Sequence, residues 1–171
     1  AVPNKIQLGM NLTEGLGAGA NPDIGHQSAI ESISDIEKML DINTKMVFIT
    51  AGMGGGTGTG GAPILSKLCK EMGILTVAIV TTPFSHEGRK RTNQAIEGIR
   101  KLKDNVDTII IISNDKLREQ CGNMSFVEAF EKADNILATA ATCITSVINT
   151  TGQMNVDFAD VNTVMRNGGV A

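Results

Sequence analysis

Hydrophobic and polar positions along this chain follow two alternating rhythms. Three runs, at 46–51 (Met-Val-Phe-Ile-Thr-Ala), 75–81 (Leu-Thr-Val-Ala-Ile-Val-Thr) and 107–112 (Asp-Thr-Ile-Ile-Ile-Ile), are nearly unbroken apolar and rich in β-branched residues. Strands buried on both faces read this way. Between and after them the apolar positions recur every three or four residues, as on one face of a helix. Residues 64, 65, 68, 69 and 72 form one such face, with Pro63 near its start and Gly73 just past its end. A second helix is predicted over about 86–103. A third is predicted over 28–40, with Ile30, Ile33, Ile36, Met39 and Leu40 on its apolar side and a capping-box spacing at Ser28/Glu31 or Ser34/Glu37. Residues 5–10 predict a short strand. Strand and helix thus alternate, and the fold class expected is α/β, a parallel sheet with helices on both faces. Ligands of such sheets sit beyond the carboxyl ends of the strands, so the loops at 51–61, 82–87 and 113–116 should share one rim.

The last long pattern is different in kind. Ser125 and Glu128 have capping-box spacing. Phe126, Phe130, Ala133, Leu137, Ala140, Ile144, Val147 and Ile148 then recur at helical intervals as far as residue 149. Such a helix spans about 37 Å at 1.5 Å per residue. It carries no charge after Asp134, so burial on most sides is expected, as in a strut between two domains.

Candidate chemistry gathers in two glycine-rich stretches. Residues 52–61 read G-M-G-G-G-T-G-T-G-G, between the first strand and the helix that follows. Residues without Cβ let the backbone approach a ligand closely. The unpaired N–H groups and positive dipole end of the next helix favour an anion there. A phosphate cradle is the sharp reading, with Thr57 and Thr59 as hydroxyl donors or ligands of a phosphate-bound magnesium. A flexible connection is the bland one. The stretch is not a Walker A sequence. It contains G-x-G-x-x-G at Gly56, Gly58 and Gly61, but the next strand runs into Thr82-Pro83-Phe84 instead of the acidic residue a dinucleotide ribose requires. The second stretch, 15–25 (G-L-G-A-G-A-N-P-D-I-G), is predicted as a loop, and Pro22 with its turn chemistry argues against an immediate helix. It could present a second backbone surface to the same ligand.

Composition narrows the function classes. The 171 residues suffice for a domain with a sizeable core. A net charge of −3 leaves no basic footprint, so nucleic acid is not an expected partner. No apolar run reaches membrane-spanning length, so no direct membrane insertion is expected. Three widely spaced cysteines, Cys69, Cys121 and Cys143, argue against a disulfide framework and fit a reducing cytoplasm. His26 and His86 are isolated, so no protein-held metal site is expected.

With these residues in view the chain resembles the tubulin/FtsZ family. Residues 54–60 are its G-G-G-T-G-T-G motif, and residues 15–25 look like its G-L-G-A-G-A-N-P loop. Thr82-Pro83-Phe84 with Glu87, Gly88 and Arg91, then Asn114-Asp115-Lys116-Leu117, then Asn155-Val156-Asp157-Phe158-Ala159-Asp160, match in order and spacing. The resemblance implies a cytoplasmic GTPase that polymerises head to tail at the division site, binding GTP or GDP with Mg2+. Gly54, Gly55, Gly56, Thr57, Gly58 and Thr59 would hold the phosphates, assisted by Gly17, Ala18, Gly19 and Ala20. Glu87 and Arg91 would contact ribose and phosphates, although by spacing alone they could be a surface ion pair. Asn114, Phe130 and Asp134 would hold guanine. Phe130 and Asp134 lie four apart and share a helix face, while Phe130 could equally be ordinary core.

Asp157 and Asp160 need a different account, because two carboxylates beside triphosphate oxygens of their own subunit would repel them. As structure, Asp157 suits an N-cap with Asp160 in the first turn. In the family this loop enters the nucleotide pocket of the next protomer, where the resemblance makes Asp157 and Asp160 catalytic, with Asn155 orienting the loop. Two further readings stand beside it: a tubulin-like protein that assembles without hydrolysis, and a dinucleotide-binding oxidoreductase. The expected organisation is an incomplete nucleotide-binding domain over 1–150, ending in the long helix, and over 151–171 the acidic loop and first helix of a second domain. The family's opening phosphate loop and its partner-binding tail for division proteins are not among these residues. The 171-residue stretch alone is therefore expected to bind GTP weakly or not at all.

Overall fold

The computed structural model describes residues 4–40, 42–122, 125–149 and 157–171. Its centre is a parallel sheet of β1 (Met46–Gly52), β2 (Leu75–Thr82), β3 (Thr108–Ser113) and the short β4 (Gly169–Val170), in the spatial order β1-β2-β3-β4. The three apolar runs supply its three long strands. Helices α4 (Gly56–Glu71) and α5 (Arg89–Lys103) cross over from β1 to β2 and from β2 to β3. Register places Ile49 beside Ala78 and Ala78 beside Ile109. These side chains share one face with Val80, and Ala62, Ala95 and Leu102 of α4 and α5 cover them. Val77 and Ile79 point the other way and are also fully buried. That second face meets α8 (Phe158–Met165), whose Met165 carbonyl accepts a 2.7 Å bond from the Thr108 hydroxyl. Helices on both faces explain why β2 is buried at seven of its eight positions.

The amino-terminal third departs from the predicted pattern. Residues 5–10 form no strand. Gly9 turns the chain at φ 64° and its amide donates to Ser32 Oγ, which leads into the single turn α1 (Met10–Thr13) instead. The helix expected over 28–40 is two helices, α2 (Pro22–Glu31) and α3 (Ile33–Met39), which meet at the non-helical Ser32. Pro22 does not oppose a helix; it begins one. It occupies the first turn, where its missing N–H costs nothing, and Asn21 Oδ1 accepts the Asp23 amide as the N-cap. Neither expected capping box forms there. Ser28 is buried inside α2, and Glu31 accepts from the Asn11 and Leu12 amides.

At the other end, α6 (Asn114–Cys121) follows β3 directly, and α7 (Phe126–Asn149) is the long helix, with Ser125 and Glu128 bonded reciprocally at its start. Burial on most sides is not what α7 shows. Among its described side chains only Ala133 is buried, while Val127, Phe130 and Val147 are exposed. The apolar stripe was legible, and among the described elements α7 touches α6 and β2. Residues 169–171 join the existing sheet, since Thr108 pairs with Gly169 and the Ala171 amide donates to Ile109 O. The segment expected to open a second domain therefore contributes β4 to the first sheet.

Candidate functional site

Three strand ends define one rim. Gly52 ends β1 beside Thr81, and Thr82 ends β2 beside Ser113, the last residue of β3. From Gly52 the chain makes a tight turn. The Met53 amide donates to Thr81 O, Gly54 takes φ 100°, and its amide donates to the buried Thr59 hydroxyl at 2.8 Å. The helix α4 then starts at Gly56, earlier than its apolar face announces, with Gly55 as an N-cap that offers no side-chain acceptor. The first-turn amides of α4 therefore lack intrahelical partners. A Cβ added to Gly55 would meet nothing within 4 Å, and Thr57 is exposed. Because Gly56, Gly58 and Gly61 all lie inside α4, their G-x-G-x-x-G spacing does not form the strand-to-helix turn of a dinucleotide site.

The second glycine stretch lies against the first. A Cβ on Gly56 would stand 2.6 Å from Ala18 Cβ and 2.9 Å from Asn21 N. Gly17, Gly19 and Ala20 all have positive φ, and at Gly17 and Gly19 the added Cβ would point into open space. Gln94 of α5 donates from Nε2 to Ala20 O at 3.3 Å. No sequence signal marked Gln94, which is 74 residues away from its partner.

The segment after β2 closes the rim. Glu87 Oε1 accepts the Phe84 amide and Oε2 accepts from Arg91 Nη1, each at 2.8 Å. The Asp115 carboxylate accepts the Ser85 amide at 3.0 Å, which ties this segment to the start of α6. Phe84 is buried and meets the Phe130 ring edge-on at 5.2 Å. Phe130 itself is 43% exposed. Asn114, at the first position of α6, is only 4% exposed, yet its side-chain oxygen has no hydrogen-bond partner. A buried amide oxygen left unpaired costs free energy that a bound donor would recover. Asp134 is exposed, one turn along α7 from Phe130.

These residues fit a phosphorylated, flat ligand: free backbone amides at a helix start, an arginine, an aromatic ring and an orphaned acceptor. The same geometry brings together Gly17 to Ala20, Gly54 to Thr59, Glu87, Arg91, Asn114 and Phe130. Asp157 and Asp160 belong to a different place. They form a reciprocal capping box at the start of α8, with Asp157 Oδ1 accepting the Asp160 amide at 2.9 Å and Asp160 Oδ2 accepting the Asp157 amide at 3.1 Å. The far end of α8 is fixed where β2 and β3 begin, because Thr108 binds Met165 O and Arg166 reaches Gly73 O. That is the end of the sheet opposite the glycine rim. Asn155 lies outside the described residues. The Ser125 hydroxyl and amide hold the Glu128 carboxyl at the start of α7 below its ordinary pKa, and burial pushes the Cys69 thiol up.

Comparison with known proteins agrees with this geometry. The model of the Tubulin/FtsZ family GTPase domain matches residues 1–122. The chain is 48% identical over 171 residues to the cell division protein FtsZ of Aquifex aeolicus, covering 99% of this chain and 46% of that protein. It is 55% identical over 167 residues to the cell division protein FtsZ of Pseudomonas putida, covering 97% and 42% respectively. Among solved structures, the empty FtsZ dimer of M. jannaschii superposes with a TM-score of 0.90 at 48% identity, over 95% of this chain and 47% of that one. The chain thus spans less than half the length of the curated relatives it matches. On the strength of the matched motifs, the shared sheet and these identities, the chain belongs to the Tubulin/FtsZ family, through its GTPase domain.

Proposed function

We propose that the intact protein is a GTP-binding and GTP-hydrolysing cytoskeletal protein of cell division, which polymerises head to tail and completes hydrolysis between neighbouring subunits. The observation that carries this reading is the abutment of the two glycine segments, Ala18 against Gly56, at the start of α4. In this account the 54–58 turn, through the amides of Gly55 to Gly58, and the amides of Gly17 to Ala20 hold the phosphates, with Gly54 shaping the turn and Arg91 adding a positive charge. Thr59 braces the turn from within. Phe130 stacks on guanine, while Asn114 and Asp134 accept its N–H groups. Glu87 orients Arg91 and faces the ribose. Magnesium, when bound, neutralises charge on the phosphate oxygens, and Thr57 is the hydroxyl assigned to it.

Hydrolysis is attack of water on the γ-phosphorus with cleavage of its bond to the bridging oxygen, giving GDP and phosphate. Asp157 and Asp160 of an adjoining subunit orient that water and take its proton, and the amides at the start of α4 offset the charge that develops. The position of α8 at the opposite end of the sheet supports the division of labour, since stacking subunits head to tail would bring one end to the other. Residues 1–150 then carry the nucleotide half and 151–171 the acidic segment. Localisation at the division site and contacts with other division proteins follow from the same reading.

One observation favours a second reading. The reciprocal capping box already accounts structurally for both carboxylates of the acidic segment, as a non-hydrolysing assembly protein would need. Titration of the intact protein with GTP and magnesium, followed by phosphate release on assembly, separates the two. Saturable GTP binding with release of phosphate supports the proposal; binding and assembly without release support the alternative, and preference for NAD over GTP overturns both.

A further inference from the structure

The glycines of residues 52–61 divide into two groups that the motif does not distinguish. At Gly55 an added Cβ would meet nothing, whereas at Gly60 it would overlap Pro22 O and stand 2.6 Å from His26 N. At Gly25, on the facing helix, it would overlap Gly56 O and stand 2.7 Å from Gly56 C. Backbone meets backbone here, so no flexible side chain can yield. Gly61, the next residue along, is different: its Cβ would make an ordinary contact, 3.6 Å from Ala29 Cβ. Among the described helices, α2 and α4 make the most extensive packing contact. The start of α2 is where Asn21 caps the helix, directly after Ala18 to Ala20.

We infer that Gly25 and Gly60 are positioning residues for the nucleotide site: by letting the α2 and α4 backbones touch, they fix the 17–20 loop and the 54–58 turn as one rigid surface. Neither residue reaches the ligand. A side chain at either position separates the helices and carries Gly17 to Ala20 away from the start of α4. Gly54 and Asn114, which follow β1 and β3, and Arg91 and Phe130, on α5 and α7, lie outside the α2–α4 contact and stay in place. The two halves of the phosphate surface then come apart while the base-binding half remains. The inference rests on the proposed nucleotide reading for its binding readout, but its structural content is independent of ligand identity.

The test compares Gly60→Ala with Gly61→Ala and Gly168→Ala in the intact protein. Gly168→Ala is the control for strain elsewhere in the fold, since its Cβ would stand 2.6 Å from Thr108 Oγ1 and 3.1 Å from Met165 O, beside α8 and away from α2. Amide hydrogen exchange is read without nucleotide, and competition by GTP and by guanosine is read separately. In Gly60→Ala the amides of residues 18–20 are expected to exchange at least tenfold faster, those of β2 to be unchanged, and GTP affinity to fall at least tenfold with guanosine affinity within twofold. Gly61→Ala should change none of these by more than twofold, and Gly168→Ala should leave the 18–20 amides as they are. Unchanged exchange at 18–20 in Gly60→Ala overturns the inference, as does equal loss of GTP and guanosine binding. If the parent protein binds no GTP, the nucleotide reading fails, and the exchange data alone decide the positioning role. Should Gly60→Ala not fold, Ala29→Val wedges the same pair of helices beside Gly61 and is judged by the same outcomes.

Discussion

The Thr59 hydroxyl accepts the Gly54 amide at 2.8 Å, so a residue of the second turn of α4 holds closed the glycine turn that precedes that helix. Thr59 is buried, and Gly54 has φ 100°. Loss of the oxygen strands a buried N–H. Thr59→Val should therefore cost about 1–3 kcal/mol of stability, and Thr59→Ser much less. Urea unfolding of the two variants checks this; a Val variant as stable as the parent would remove the brace from the account.

Glu87 and Arg91 form a 2.8 Å pair, but their surroundings differ: the Arg91 side chain is 49% exposed and that of Glu87 16%. Arg91→Ala should change stability by under about 1 kcal/mol. Glu87→Ala also releases the Phe84 amide and should cost about 1–3 kcal/mol. Both should weaken GTP binding by the intact protein. Thermal melts paired with nucleotide titration read the two effects apart, and full GTP affinity in Arg91→Ala would take that residue out of the site.

Glu128 supplies a pH dependence with a definite sign. Hydrogen bonds from the Ser125 hydroxyl and amide lower its pKa in the folded chain. Its contribution is present above the ordinary glutamate value and is lost as pH falls through the lowered one. The first turn of α7 should fray on acidification, and Glu128→Gln should flatten that dependence. NMR of the Ser125 amide against pH provides the measurement; an identical acid limb in parent and variant would contradict it.

How much of this was legible in the sequence depended on which force wrote each element. The strands β1, β2 and β3 and the helix α5 bury regular apolar patterns, and α7 carries one that is largely exposed; in each case the period announced the element. Where glycine or proline sets the backbone, the pattern was silent or misleading. Helix α4 starts at Gly56 because tertiary contact with α2 and β1 outweighs the poor helix propensity of four glycines. Helix α2 starts at Pro22, although Asn-Pro-Asp is a legible N-cap followed by a first-turn proline. The site followed the same division. The glycine motifs located the proposed phosphate side, whereas the Gln94–Ala20 and Ser85–Asp115 contacts join residues far apart in the chain and carry no local signal.

Asp157 and Asp160 can be separated into capping and catalytic parts by isosteric change. Asn is as good an N-cap as Asp, so Asp157→Asn should leave stability nearly unchanged, while Asp157→Ala should cost about 1 kcal/mol. If the carboxylates orient and deprotonate water, Asp157→Asn and Asp160→Asn should each lower phosphate release by about 10²-fold or more, with GTP binding intact. Release at the parental rate in a stable Asn variant would leave these acids with capping alone.

The most direct measurement is the structure of an assembled filament of the intact protein with a non-hydrolysable GTP analogue. The account predicts phosphates on the amides of Gly55 to Gly58 and guanine against Phe130, with Asp157 and Asp160 of the next subunit no more than one water molecule from the γ-phosphate. An analogue seated away from the start of α4, or an acidic pair remote from every neighbouring γ-phosphate, would contradict it.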